Sequence, residues 1–181
     1  MKLLPTRIPG VKLIEPDVHS DARGTFMEAW NARDFAELGI NATFVQDNHT
    51  HSVRHTLRGL HYQIRQPQGK LISVSHGAIF DVAVDLRRDS PFFGQWVGEV
   101  LSEENRRMLW VPPGFAHGFY VISDVADCQF KCTDYYAPQH EQRIRWNDDA
   151  LDIEWPLRQG TWPLLSEKDK NNQRFRECLI Y

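Results

Sequence analysis

From Lys70 to Leu101 the chain alternates with period two: Phe80, Val82, Val84 and Leu86 fall on one side, Asp81, Asp85 and Arg87 on the other. That is the signature of strands. His76-Gly77, Pro91, Gly94 and Pro112-Pro113-Gly114 punctuate successive runs at short intervals, as turns do in an all-β sandwich or barrel. The same pattern predicts further strands at 42–48, 57–64, 96–101, 107–111, 117–122 and 127–136. Helical signals are few. Asn31 can cap a short helix over 32–38, with Phe35 and Leu38 three apart and Gly39 closing it. A second helix can begin at Ser166, where Ser-Glu-Lys-Asp fits a capping box. The fold class that follows is mainly β, closed or sandwiched, with a few short peripheral helices.

Composition agrees with one folded unit. The 181 residues are 41% hydrophobic and 25% charged, and no linker, repeat or charge block divides them, so a single domain over 1–181 is expected. Twenty-one basic against 24 acidic residues leave a net charge of −3, which offers no general attraction to nucleic acid or an anionic membrane. Any anion must be met by a local cluster. No apolar run approaches a membrane span, and the opening MKLLPTRIPG breaks at Pro5 before a signal-peptide core could form. Cys128, Cys132 and Cys178 form no C-x-x-C pair and are expected as reduced thiols, which fits a cytoplasmic protein.

Strand parity selects the candidate chemistry. Leu57, Gly59, His61 and Gln63 should share a face, as should His117, Phe119 and Val121, and Phe130, Cys132, Asp134 and Tyr136. His61, set in an apolar stretch, suits a general base; a core histidine satisfied by a carbonyl is the plainer alternative. Arg23, Arg58, Lys70 and Lys168 lie near glycines or turns and could clamp a diphosphate, or could simply be solvated cations. Asp169 is explained locally as the fourth residue of the capping box at Ser166. "PPGFAH" fits half of a cupin metal signature and His49-x-His51 has ligand spacing, but no carboxylate follows and these histidines sit in a polar, loop-like stretch. A metal-dependent oxygenase is therefore a rival reading, and no metal or other cofactor is expected.

Taken in order, "DARGTFMEAWN", "FVQDNHTHS", "LRGLHYQ", "QGKLISV", "LWVPPGFAHGFYV", "KCTDYYAPQHE", "IRWND" and "LLSEKD" resemble the dTDP-4-dehydrorhamnose 3,5-epimerase family over nearly the whole chain. The resemblance implies a cupin-like jelly-roll barrel, a homodimer, no metal, and epimerisation of dTDP-4-dehydro-6-deoxy-glucose at C3 and C5. It makes His61 the base with Asp169 its partner and sets Lys70 by the C4 oxygen. It places His117 in the sugar pocket, and Arg23, Arg58 and Lys168 on the diphosphate. Glu28, Gln46, Asn48 and Glu141 would supply polar contacts to the nucleotide, Phe26 and Tyr136 ring surface.

One position departs from the family. The tyrosine that should precede Lys131 as proton donor is Phe130, which keeps the ring but cannot give a proton. Tyr136 lies six residues later, about 20 Å along an ideal strand, so a water near Phe130 is the expected substitute. A single-position (C3 or C5) epimerase and a low-activity sugar-nucleotide binder stay open as alternatives.

Overall fold

The computed structural model describes residues 1–158 and 160–181. Its strands are β1 (Lys2–Leu4), β2 (Lys12–Glu15), β3 (Val18–Asp21), β4 (Gly24–Met27), β5 (Gln46–Val53), β6 (Leu57–Gln63), β7 (Lys70–His76), β8 (Ala78–Asp85), β9 (Trp96–Ser102), β10 (Met108–Val111), β11 (Phe115–Val121), β12 (Val125–Cys132) and β13 (Glu141–Arg143). Two short α-helices, α1 (Ala32–Glu37) and α2 (Glu167–Lys170), lie outside them. A six-stranded sheet runs β1-β2-β10-β7-β12-β5 and a five-stranded sheet β13-β6-β11-β8-β9; β3 and β4 form a separate hairpin. This is the mainly β, two-sheet arrangement expected from the alternation, and the cupin-like jelly roll that the resemblance implies.

The two sheets enclose one apolar cluster. Ile72, Val74, Leu109 and Cys128 enter it from the larger sheet, Ile79, Ala83, Val97 and Phe119 from the smaller. The outer face of each sheet is also covered. On the five-stranded sheet Val82, Val84 and Leu86 pack against Ile144, Trp146, Leu151 and Trp155; on the six-stranded sheet α1 buries Phe35 against Ile14, Leu71 and Met108. Full burial of a side chain such as Phe35 contributes about 1.5–3 kcal/mol, enough to hold a helix of six residues that could not persist alone. Asn31 caps it as expected, accepting the N–H of Asp34 at 2.8 Å.

Because both faces of β8 are covered, the side bearing Asp81 and Asp85 does not meet water, and both carboxylates are fully buried. Asp85 is satisfied by the Arg87 guanidinium at 2.6 and 2.9 Å, while Asp81 meets a histidine. Two expected strands also move. The strand expected at 42–48 begins at Gln46 and continues to Val53, because pairing with β12 outweighs its polar composition. His49 and His51 thus lie on its exposed face, where His51 Nδ1 meets Asp127 at 2.6 Å. The strand expected to reach 136 stops at Cys132, where the ladder to Gln46 and Lys70 ends.

Candidate active site

The site is built on β6 and β11. His61 lies directly across from His117 and Arg58 across from Phe119, so three steps on β6 match two on β11. That extra residue is a β-bulge. It overturns the parity expected for β6: Arg58 and His61, three apart, both line the cavity, whereas Leu57 packs into the outer cluster. Glycine is required where the strands touch, since a Cβ on Gly59 would sit 2.6 Å from Gly118 Cα and one on Gly118 would sit 2.7 Å from the Arg58 carbonyl oxygen.

A cavity of about 520 Å³ opens beside these strands. His61 Nε2 lies 2.6 Å from Asp169 Oδ1, at the start of α2. Asp169 is 5% exposed. The N-cap half of the capping reading also holds, for Ser166 Oγ accepts the Asp169 N–H at 3.1 Å; the Asp169 carboxylate takes the Ser166 hydroxyl at 2.9 Å rather than the Ser166 backbone N–H a capping box would use. Burial opposes ionisation of Asp169, but the bonds from His61 and Ser166 outweigh it and hold the carboxyl below its usual range. An aspartate that accepts from Nε2–H fixes the tautomer of His61 and leaves Nδ1 with a free lone pair.

The other sheet forms the opposite wall. Lys70 on β7 and Phe130 on β12 both line the cavity, and burial pulls the Lys70 ammonium below the ordinary lysine range. Arg58 donates from Nε to Ser52 Oγ at 3.1 Å. Lys168 lines the same space, as does Arg143, which donates to Glu141. With Arg58, Lys70, Arg143 and Lys168 set against Glu141 and Asp169, the lining is cationic. His117 is buried and its Nε2 lies 2.8 Å from Asp81 Oδ1.

Tyr136 corrects the sequence reading. Since β12 ends at Cys132, the chain turns back and the Tyr136 N–H donates to Gln46 Oε1 at 2.8 Å, which brings the ring to the same cavity as Phe130. Its hydroxyl lies 3.4 Å from Glu141 Oε2. Burial and then the neighbouring carboxylate raise its pKa, so it holds its proton. Gln46 and Asn48 line an adjoining cavity of about 250 Å³ that shares His61, Lys70, Phe130 and Tyr136.

Three expected residues are not brought to this cavity within one chain. Arg23 is exposed and bonded to Asp21, Phe26 is 72% exposed on β4, and Glu28 bonds Asn31. Conversely, Arg143, Thr50, Ser166 and Asp81 were not singled out as site residues. Alternation from Glu141 already places Arg143 on the same face of β13; Asp81 gives no local signal, because its histidine is 36 residues away.

Comparison with known proteins places this geometry. The family model described as dTDP-4-dehydrorhamnose 3,5-epimerase matches residues 5–177. A dTDP-4-dehydrorhamnose 3,5-epimerase of Pseudomonas aeruginosa is 56% identical over 179 residues, 98% of each chain. A crystal structure of the Legionella pneumophila dTDP-6-deoxy-D-glucose-3,5-epimerase in complex with dTDP-4-keto-L-rhamnose superposes with a TM-score of 0.94 at 50% identity, covering 97% of this chain and 93% of that one. A 3'-monoepimerase from Streptomyces bikiniensis in complex with dTDP-quinovose gives 0.86 at 33% identity, over 94% and 86%. The chain belongs to the dTDP-4-dehydrorhamnose 3,5-epimerase family.

Proposed function

We propose that this chain epimerises dTDP-4-dehydro-6-deoxy-D-glucose at C3 and C5 to dTDP-4-dehydro-L-rhamnose, acting as one domain over 1–181 without a metal. The hydrogens at C3 and C5 are acidic because each carbon adjoins the C4 ketone, so the reaction needs a base for the C–H and a donor where the enolate oxygen develops. His61 Nδ1 takes the proton and Asp169 stabilises the imidazolium that forms. The C–H electron pair moves into the enolate, whose oxygen meets Lys70. A solvent proton, delivered by a water beside Phe130, then returns to carbon from the opposite face, and His61 loses its proton to solvent.

The observation that carries this reading is that His61, with Asp169 behind it, faces Lys70 and Phe130 across one cavity between the two sheets. The cationic lining suits a diphosphate, and His117 and Lys168 complete the sugar and diphosphate ends. Gln46, Asn48, Glu141 and Tyr136 border the adjoining space that would take the nucleotide.

A homodimer accounts for Arg23, Phe26 and Glu28. The β3–β4 hairpin pairs only with itself in the sheet topology and leaves Phe26 bare; supplied to a second copy, these residues would reach that copy's nucleotide. A cytoplasmic location fits the three free thiols. None of the described helices is long and apolar enough to cross a membrane.

Incubation with the 4-keto sugar nucleotide in deuterated water, followed by NMR, tests the proposal. Deuterium is expected at C3 and C5. Its absence from both overturns the reading, and incorporation at one carbon alone replaces it with single-position epimerisation.

A further inference from the structure

Two buried side-chain atoms lack a hydrogen-bond partner among the described residues, Thr50 Oγ1 and Asp81 Oδ2. Both belong to the active-site region: Thr50 lines the cavity, and Asp81 holds the cavity-lining His117. Asp81 is fully buried, and an unpaired carboxylate oxygen at such a depth is a standing cost to the fold. An apolar residue would remove that cost but would leave the buried His117 Nε2–H without its acceptor. The carboxylate therefore calls for a role that runs through its bond to His117.

Register supplies it. His61 and His117 are directly opposed on neighbouring antiparallel strands, so their side chains leave the sheet side by side on one face. Each is tied through Nε2 to a carboxylate, His61 to Asp169 at 2.6 Å and His117 to Asp81 at 2.8 Å. The second pair repeats the geometry of the first, on a residue that does not itself abstract the proton.

Resting on the epimerase reading above, we propose that Asp81 is a positioning residue that fixes His117 as the Nε2–H tautomer, so that Nδ1 accepts a hydroxyl of the sugar ring. A neutral imidazole has one donor and one acceptor nitrogen, and the partner of the first decides which nitrogen is left for the ligand. The side chains around the pair do not compete for it. Arg58, opposite Phe119 on β6, donates to Ser52; Lys70 stands on the facing sheet; Glu99, opposite Asp81 on β9, is an acceptor like Asp81 and offers the imidazole no competing donor.

The test compares the full chain with Asp81→Asn and Asp81→Leu. Nitrogen-15 NMR of the labelled histidines reads the tautomer of His117 without substrate. The Nε2–H form is expected in the unaltered chain; in Asp81→Asn, whose amide can donate instead, the population should shift toward Nδ1–H. Loss of an orienting partner of a functional histidine is worth about ten- to a hundred-fold, and here KM should carry most of it. Asp81→Leu, which leaves the His117 Nε2–H without an acceptor, should lose the Nε2–H preference and with it affinity for substrate. An unchanged tautomer in Asp81→Asn, or an intact KM in Asp81→Leu, overturns the proposal. The tautomer readout stands whether or not the deuterium experiment supports epimerisation, so the two failures are distinguishable.

Discussion

His61 and Asp169, 108 residues apart in sequence, meet at 2.6 Å because the carboxylate that accepts the hydroxyl of the helix cap Ser166 also points back at β6. One side chain thus anchors α2 and orients the proposed base. His61→Asn should abolish deuterium exchange at both carbons, a loss of roughly 10²–10⁴-fold for the base alone. Exchange that persists at the rate of the unaltered chain would remove His61 from the reaction.

The same pair predicts a pH dependence of stability. A carboxyl whose pKa is depressed by folding adds stability above its unfolded value, here taken as 3.8, and loses it as pH falls through the folded value. Asp169→Asn should therefore be less stable than the parent at pH 7, by about 1–3 kcal/mol for a buried, charge-assisted hydrogen bond. Thermal midpoints of the two proteins should converge as pH drops below 3.8. A gap constant with pH would show that the carboxylate charge adds nothing.

Phe130 stands on the wall opposite His61, where a proton donor would serve inversion and a phenyl ring cannot. Phe130→Tyr should raise turnover about 10- to 100-fold, toward the usual worth of a general acid. Tyr136, whose raised pKa keeps its hydroxyl protonated, is the phenol already in the cavity. Tyr136→Phe should slow the parent more than it slows the Phe130→Tyr variant. Equal effects in both backgrounds would leave Tyr136 a nucleotide contact only.

How far the sequence could be read depends on whether a signal is local. The alternation along β8 and the caps at Asn31 and Ser166 are local, and each element formed where its own residues required it. The start of β5 and the end of β12 are set by pairing between strands some 80 residues apart, so a polar run was mistaken for a loop and a turn for a strand. The bulge in β6 arises from two glycines on different strands, and no parity rule along β6 alone could place Arg58 beside His61. Asp169 became a site residue only through resemblance, since spacing explained it fully as a cap.

Lys70 separates stability from function. Its ammonium makes no hydrogen bond or salt bridge to a described residue, and burial lowers its pKa against the weaker opposing pull of Cys132 and Glu141. A cation desolvated more than its neighbours compensate opposes folding. Lys70→Met should therefore keep or raise the thermal midpoint while slowing exchange by about 10²–10³-fold, the cost of losing one donor to a developing oxyanion. A variant that unfolds at lower temperature yet exchanges normally would make Lys70 structural.

The hairpin carries the last prediction. If Arg23 and Phe26 serve the site of a second copy, a chain lacking them and a chain lacking His61 should restore each other. In a mixed dimer of Arg23→Ala/Phe26→Ala with His61→Asn, the site in the first chain keeps its own base and receives an intact hairpin from the second. Random mixing places half of the chains in such dimers, each with one intact site. About a quarter of the sites should then be whole, and exchange should recover to roughly that share of the parent rate after subunit mixing. Sedimentation should give twice the 21.1 kDa chain mass. Mixtures no more active than the sum of their parts, or a species of single-chain mass, would return the hairpin to its own chain and leave the exposure of Phe26 without a role in binding.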